Sequence, residues 1–132
     1  MSQSSPHIIP TQQLAELANH VETVLPPQYL PRTLHMSQDM VAGADVFVSS
    51  RSVVNLPSPA EPNVMPHTHS VSQTYLFLSP DDSLEVQVAI DGKTFTTRAP
   101  SSAFIPKDTL HSLQILRGTG TVISIVRSGE YL

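Results

Sequence analysis

The chain has 132 residues with seven Lys and Arg against eleven Asp and Glu, a formal net charge of -4, so it lacks the basic footprint that releases counterions from a phosphate backbone, and no nucleic acid is expected as partner. A hydrophobic content of 39% suits one packed domain, and the absence of cysteine excludes disulfides and thiolate metal sites, which leaves His, carboxylate and amide groups as metal donors. No apolar stretch approaches the ~20 residues that cross a bilayer, and MSQSSPHIIP has neither the basic region nor the long apolar core of a signal peptide, so no membrane partner is expected and the location is expected to be cytoplasmic.

In chain order, residues 1–10 are polar and Pro-containing and are expected to be flexible. In TQQLAELANHVETVL (11–25), Leu14, Leu17, Ala18, Val21, Val24 and Leu25 recur at helical spacing, Thr11 can cap the start and Pro26-Pro27 stop it, so the spacing predicts one amphipathic helix. Residues 11–44 then form helix and connecting arm, and 45–132 a β-rich domain. Strands are predicted over 45–56, 73–78, 84–90, 93–98, 102–106, 110–116 and 121–127, separated by Pro, Gly and Asp turns. Leu84, Val86, Val88 and Ile90 alternate with polar residues, and Asp91-Gly92 fits a two-residue hairpin turn that places Val88 opposite Phe95. Many short strands with regular turns imply an all-β sandwich or small barrel.

The chemistry concentrates in MPHTHSVSQTYLFL (65–78) and PKDTLHSLQI (106–115). In extended chain, i, i+2 and i+4 point to one face, so His67 and His69 share a face, and Gln73, Tyr75 and Phe77 continue it. His111 starts another strand, with Leu113 and Ile115 on its face. If the barrel lays these strands together, His67, His69, Gln73 and His111 converge on one interior point. Neutral imidazoles and one amide oxygen suit a divalent transition metal such as Zn, Ni, Mn or Fe, with positions left open for substrate.

HTHSVSQ followed by PKDTLH resembles the two signature motifs of the cupin superfamily, an HxH with a downstream Glu and a Pro-containing turn followed by His. The resemblance spans about residues 45–127 and implies a cupin-type double-stranded β-helix, or jelly-roll barrel, that commonly forms a homodimer. It implies His67, His69, Gln73 and His111 as metal ligands. The usual Glu stands here as Gln73, and the Gly of the second turn as Asp108. An amide cancels none of the ion's charge, so a metal held this way is a stronger Lewis acid.

Tyr75 shares the ligand face as a pocket proton donor or a wall residue. Phe77, Phe104, Leu113 and Ile115 read as pocket lining or core. Arg51 holds an anionic group of the substrate if its face of the strand is inward, and is solvated if it is outward. Asp108 reads first as a turn residue and then as a base. His7, His20 and His35 are isolated and carry no assignment. The functional expectation is a metal-dependent enzyme acting on a small oxygenated molecule by isomerase, tautomerase, cyclase or lyase chemistry. Two alternatives stand beside it: a mononuclear-metal dioxygenase, in which Gln73 is a weak or absent ligand, and a non-catalytic module that binds a small ligand.

Overall fold

A computed structural model describes residues 5–22, 25–60 and 62–131. Eight strands follow in order: β1 (Gln12–Gln13), β2 (Thr33–Met36), β3 (Phe47–Leu56), β4 (Gln73–Leu78), β5 (Glu85–Ile90), β6 (Lys93–Arg98), β7 (Ser101–Ile105) and β8 (His111–Val126). Every pairing is antiparallel. One sheet runs β1-β2-β3-β8-β4-β7, and β6-β5 attach through β8. Strand β8 therefore joins both walls. Its first half pairs with β5, from Ile90↔His111 to Glu85↔Arg117, and its second half lies between β3 and β4. The apolar residues that alternate along these strands fill the space between the walls, with Val53, Phe77, Leu84, Val86 and Ile105 at most 1% exposed. Each such side chain contributes about 1.5–3 kcal/mol through burial. Among the described residues no helix is long and apolar enough to cross a membrane.

The predicted strands at 110–116 and 121–127 are one continuous strand of 16 residues. The glycines between them do not break it; they let other backbone pass close by. Gly118 has φ +101°, and a Cβ there would lie 2.1 Å from the Ser83 carbonyl oxygen; one on Gly120 would lie 2.2 Å from that of Leu78. The turn at 79–83 thus packs directly on β8. The hairpin register is as expected, Val88↔Phe95, but Phe95 is 55% exposed because β6 covers nothing on its outer side. Phe104 is likewise exposed on β7, so it lines neither core nor pocket.

The helix expected over 11–25 is not formed. Gln12–Gln13 pair with β2, Leu14 N–H donates to Arg32 C=O at 2.8 Å, His20 bridges Val64, and Val21 N–H donates to Asn63 C=O at 2.7 Å. Thr23 and Val24, which the expected helix included, lie outside the described residues. A helix this short is marginal by itself. Here the backbone finds its partners on the barrel, and Leu14 and Leu17 pack against the buried group of Leu34, Phe47 and Val126. Tertiary contacts override the helical spacing.

Candidate metal centre

Three histidines meet at one end of the barrel. His67 lies in the loop before β4 and His111 opens β8; each backbone N–H donates to the other's C=O, at 3.0 and 2.9 Å. His67, Thr68 and His69 alternate buried, exposed and buried, as extended chain requires. The Asp108 N–H donates to His69 C=O at 2.7 Å, which ties the turn before β8 to the same loop. Asp108 itself sits at φ +60°, exposed, where the motif usually has Gly; it is a turn residue. One ring nitrogen of each of His67, His69 and His111 lies within 4.8 Å of the others, and all three residues are buried.

The hydrogen bonds settle which nitrogens face inward. His67 Nδ1 is 2.6 Å from Met65 C=O and His111 Nδ1 is 2.8 Å from Thr109 C=O. A carbonyl only accepts, so both Nδ1 atoms carry the proton and both Nε2 atoms present a lone pair. Such backbone bonds orient metal-bound imidazoles and raise their basicity. His67 Nε2 lies 3.1 Å from His69 Nε2, and the Tyr131 hydroxyl is also 3.1 Å from His67 Nε2. Two ligands about 2.1 Å from one ion and at right angles stand about 3.0 Å apart. Among the described residues, His111 Nε2 and Gln73 Oε1 are buried with no hydrogen-bond partner, while Gln73 Nε2 donates to Ser124 Oγ at 2.7 Å. Unpartnered buried acceptors are costly, and a cation is what satisfies several at once. The donor set therefore fits a divalent ion, held by the three imidazoles with the Gln73 amide oxygen beside them. Among the described residues no carboxylate joins the group.

Burial keeps the imidazoles of His67 and His111 neutral. Burial lowers His111 to about 4, helped by His67 and His69 nearby, and burial also lowers His67. Tyr75, buried on the ligand face, lies edge-on to His111 at 6.4 Å between centroids. Burial raises its phenol well above the usual range, so it stays protonated. Arg51 is inward rather than solvated, 4% exposed and paired with Glu22. Phe77, Leu113 and Ile115 are buried core, and the latter two also line a small cavity with Tyr75 and Arg51.

Three residues of this end escaped the sequence reading. Tyr131 stands 4.7 Å edge-on from the His69 ring, and its phenol too is raised by burial. Ser124 orients Gln73. His20 stands edge-on to His67 at 5.7 Å, with burial and then Arg32 lowering its pKa to about 3. Tyr131 comes from a segment without alternation, and His20 from the stretch whose spacing predicted a helix, so no strand parity pointed to either. Ser124 shares the inner face of β8 with Val122 and Val126, and that parity was the available signal.

The sequence matches no family model and no curated protein. Solved structures do match. KdgF from a Halomonas species is 16% identical, covering 81% of this chain and 84% of that one, with a TM-score of 0.52. An RmlC-like cupin from Shewanella frigidimarina is 15% identical over 79% of each chain, with a TM-score of 0.50. An oxalate decarboxylase from Bacillus subtilis, an enzyme described with Mn(II) centres, is 12% identical; the match covers 92% of this chain and 30% of that one, with a TM-score of 0.57. These likenesses show the fold. The chain is a cupin-type barrel, as the two motifs implied.

Proposed function

We propose that this protein is a metal-dependent enzyme acting on a small molecule with carbonyl or hydroxyl oxygens, by isomerase, tautomerase, cyclase or lyase chemistry. The observation that carries the reading is the convergence of three imidazoles, two of them (His67 and His111) with tautomers set by Met65 and Thr109, beside a buried amide oxygen that has no partner and no carboxylate neighbour in the group among the described residues. A divalent ion bound there supplies Lewis acidity toward a substrate oxygen. The residues of the chain do the rest. Gln73 adds no negative charge, so the electron-withdrawing power of the site is undiminished. Tyr75 and Tyr131, held protonated by burial, donate to oxygen that gains negative charge. The apolar walls of Leu113, Ile115 and Val122 exclude water and strengthen those bonds. Likeness to a barrel that holds Mn(II) is in keeping with this reading.

The test is metal content by mass spectrometry on protein purified without an affinity tag, followed by cobalt(II) loading. Hydroxy- and oxo-compounds should shift the cobalt absorption. A protein that holds cobalt but whose spectrum ignores a broad panel of such compounds is not this kind of enzyme. Oxygen consumption with the same panel would instead favour the dioxygenase.

A further inference from the structure

Glu22 bridges two buried arginines. Its Oε1 is 2.5 Å from Arg32 Nε and its Oε2 accepts from Arg51. The three side chains are 7%, 6% and 4% exposed. Two guanidinium groups against one carboxylate leave a buried surplus of positive charge. In addition, Arg51 Nε is buried with no partner among the described residues. As a fold device this is poor, since buried ionic triads rarely outperform apolar replacements. The arginines face the reactive end. Both line a cavity of about 20 Å³, room for about one water, together with His20, Tyr75 and Ser124. Tyr75 packs on His111, Ser124 holds Gln73, and His20 packs on His67.

Glu22 is the one member of the triad outside the barrel wall. Arg51 is on β3 and Arg32 immediately precedes β2, whereas Glu22 follows Val21, whose N–H donates to Asn63 C=O, and belongs to no strand. Outside the cavity, clefts of about 790 and 530 Å³ are both lined by Glu22. A carboxylate carried on a non-sheet segment thus fills a dicationic niche, between open clefts and the metal centre.

We infer that Arg32 and Arg51 form the recognition site for the carboxylate of a small hydroxy- or oxo-acid, and that Glu22 is an internal carboxylate occupying that site until the ligand displaces it. The inference rests on the reading of the histidine trio as the reactive centre, and it narrows the substrate class to organic acids. On exchange, the ligand's carboxylate takes over the guanidinium bonds and Arg51 Nε gains a partner, which retains the charge balance that Glu22 provides.

The experiment is isothermal titration of the parent, Glu22→Gln, and Glu22→Gln combined with Arg51→Met. Glycolate and pyruvate are the probes, with inorganic phosphate and ethylene glycol as controls. Removing an internal competitor that leaves 0.1–10% of molecules open should tighten glycolate binding by about ten- to a thousandfold in Glu22→Gln, and the added Arg51→Met should abolish the gain. Unchanged glycolate affinity in Glu22→Gln, or phosphate binding more tightly than both acids, overturns the inference. Because Glu22→Gln leaves two guanidinium groups uncompensated, its melting temperature is read with and without glycolate. A rise with glycolate and none with ethylene glycol is expected; equal melting in both overturns the idea. Metal content is measured on the same samples. Metal present without acid binding defeats only the arginine site, and acid binding without metal defeats only the metal-enzyme reading.

Discussion

His67 and His111 are joined twice. Their backbones exchange hydrogen bonds at 3.0 and 2.9 Å, and their rings stand 4.4 Å apart, centroid to centroid. Residues 44 positions apart in sequence are thereby held so that both Nε2 lone pairs face the same space. The site is built by the closure of the barrel, and its rings are oriented before any ion arrives.

That orientation predicts a sharp loss on ligand removal. His111→Ala should reduce zinc affinity by more than the about 10–100-fold typical of losing an outer partner of a metal ligand. Competition with a chromophoric chelator measures it. Retention of parental affinity would remove His111 from the site.

Gln73→Glu tests the amide's role. A carboxylate oxygen in place of Oε1 adds a negative charge next to the trio, and zinc should bind about tenfold tighter or better, while the acidity conferred on substrate falls. Chelator competition reads the first effect. No change would place Gln73 outside coordination, as a group that only holds Ser124.

Tyr131 donates toward His67 Nε2 at 3.1 Å, the lone pair an ion would use. Tyr131→Phe should therefore lower the stability of the metal-free protein by about 1 kcal/mol, the net value of one hydrogen bond, and leave metal binding equal or slightly tighter. Urea unfolding and metal titration together check this. Weaker metal binding would mean that the phenol is itself a ligand.

The metal-free protein should weaken in mild acid. His20 and His111 are lowered from 6.5 to about 3 and about 4, in both cases chiefly by burial. Groups with depressed folded pKa values bind fewer protons in the native state, so their contribution is whole above about 6.5 and is lost as pH falls from there through about 4 for His111 and about 3 for His20. Thermal melting at pH 7 and pH 5 should differ by at least about 4 °C. Saturating metal should widen the gap, because protons and metal compete for the same nitrogens.

Gly118→Ala tests the close packing on β8. A Cβ would meet the Ser83 carbonyl oxygen at 2.1 Å, at a φ of +101°. The cost should be about 2–4 kcal/mol, read by urea unfolding. A neutral substitution would show that the 79–83 turn can move away.

The strands of the barrel were largely legible because alternation is a local signal. Leu84, Val86 and Val88 show it, and Asp91-Gly92 marks the turn that sets their register. The trio was legible too, since HxH in extended chain puts both rings on one face whatever the fold. The N-terminal segment was not. Leu14, Leu17 and Val21 fit a helix by spacing, yet their backbone partners, Arg32 and Asn63, are distant in sequence, and no window of 15 residues contains them. The continuity of β8 through Gly118 was hidden for a related reason, because the need for glycine there comes from Ser83, on another turn.

By itself, then, the sequence determined a strand-rich domain, sandwich or small barrel, with His67 and His69 on one face, because side-chain parity along a strand depends only on the chain's own geometry. Tertiary structure alone decided that Arg51 points inward, that Arg32 joins it, and that Glu22, which belongs to no strand, closes the pair. Burial and charge pairing depend on which distant segments meet, and that is settled only when the barrel closes and covers both guanidinium groups.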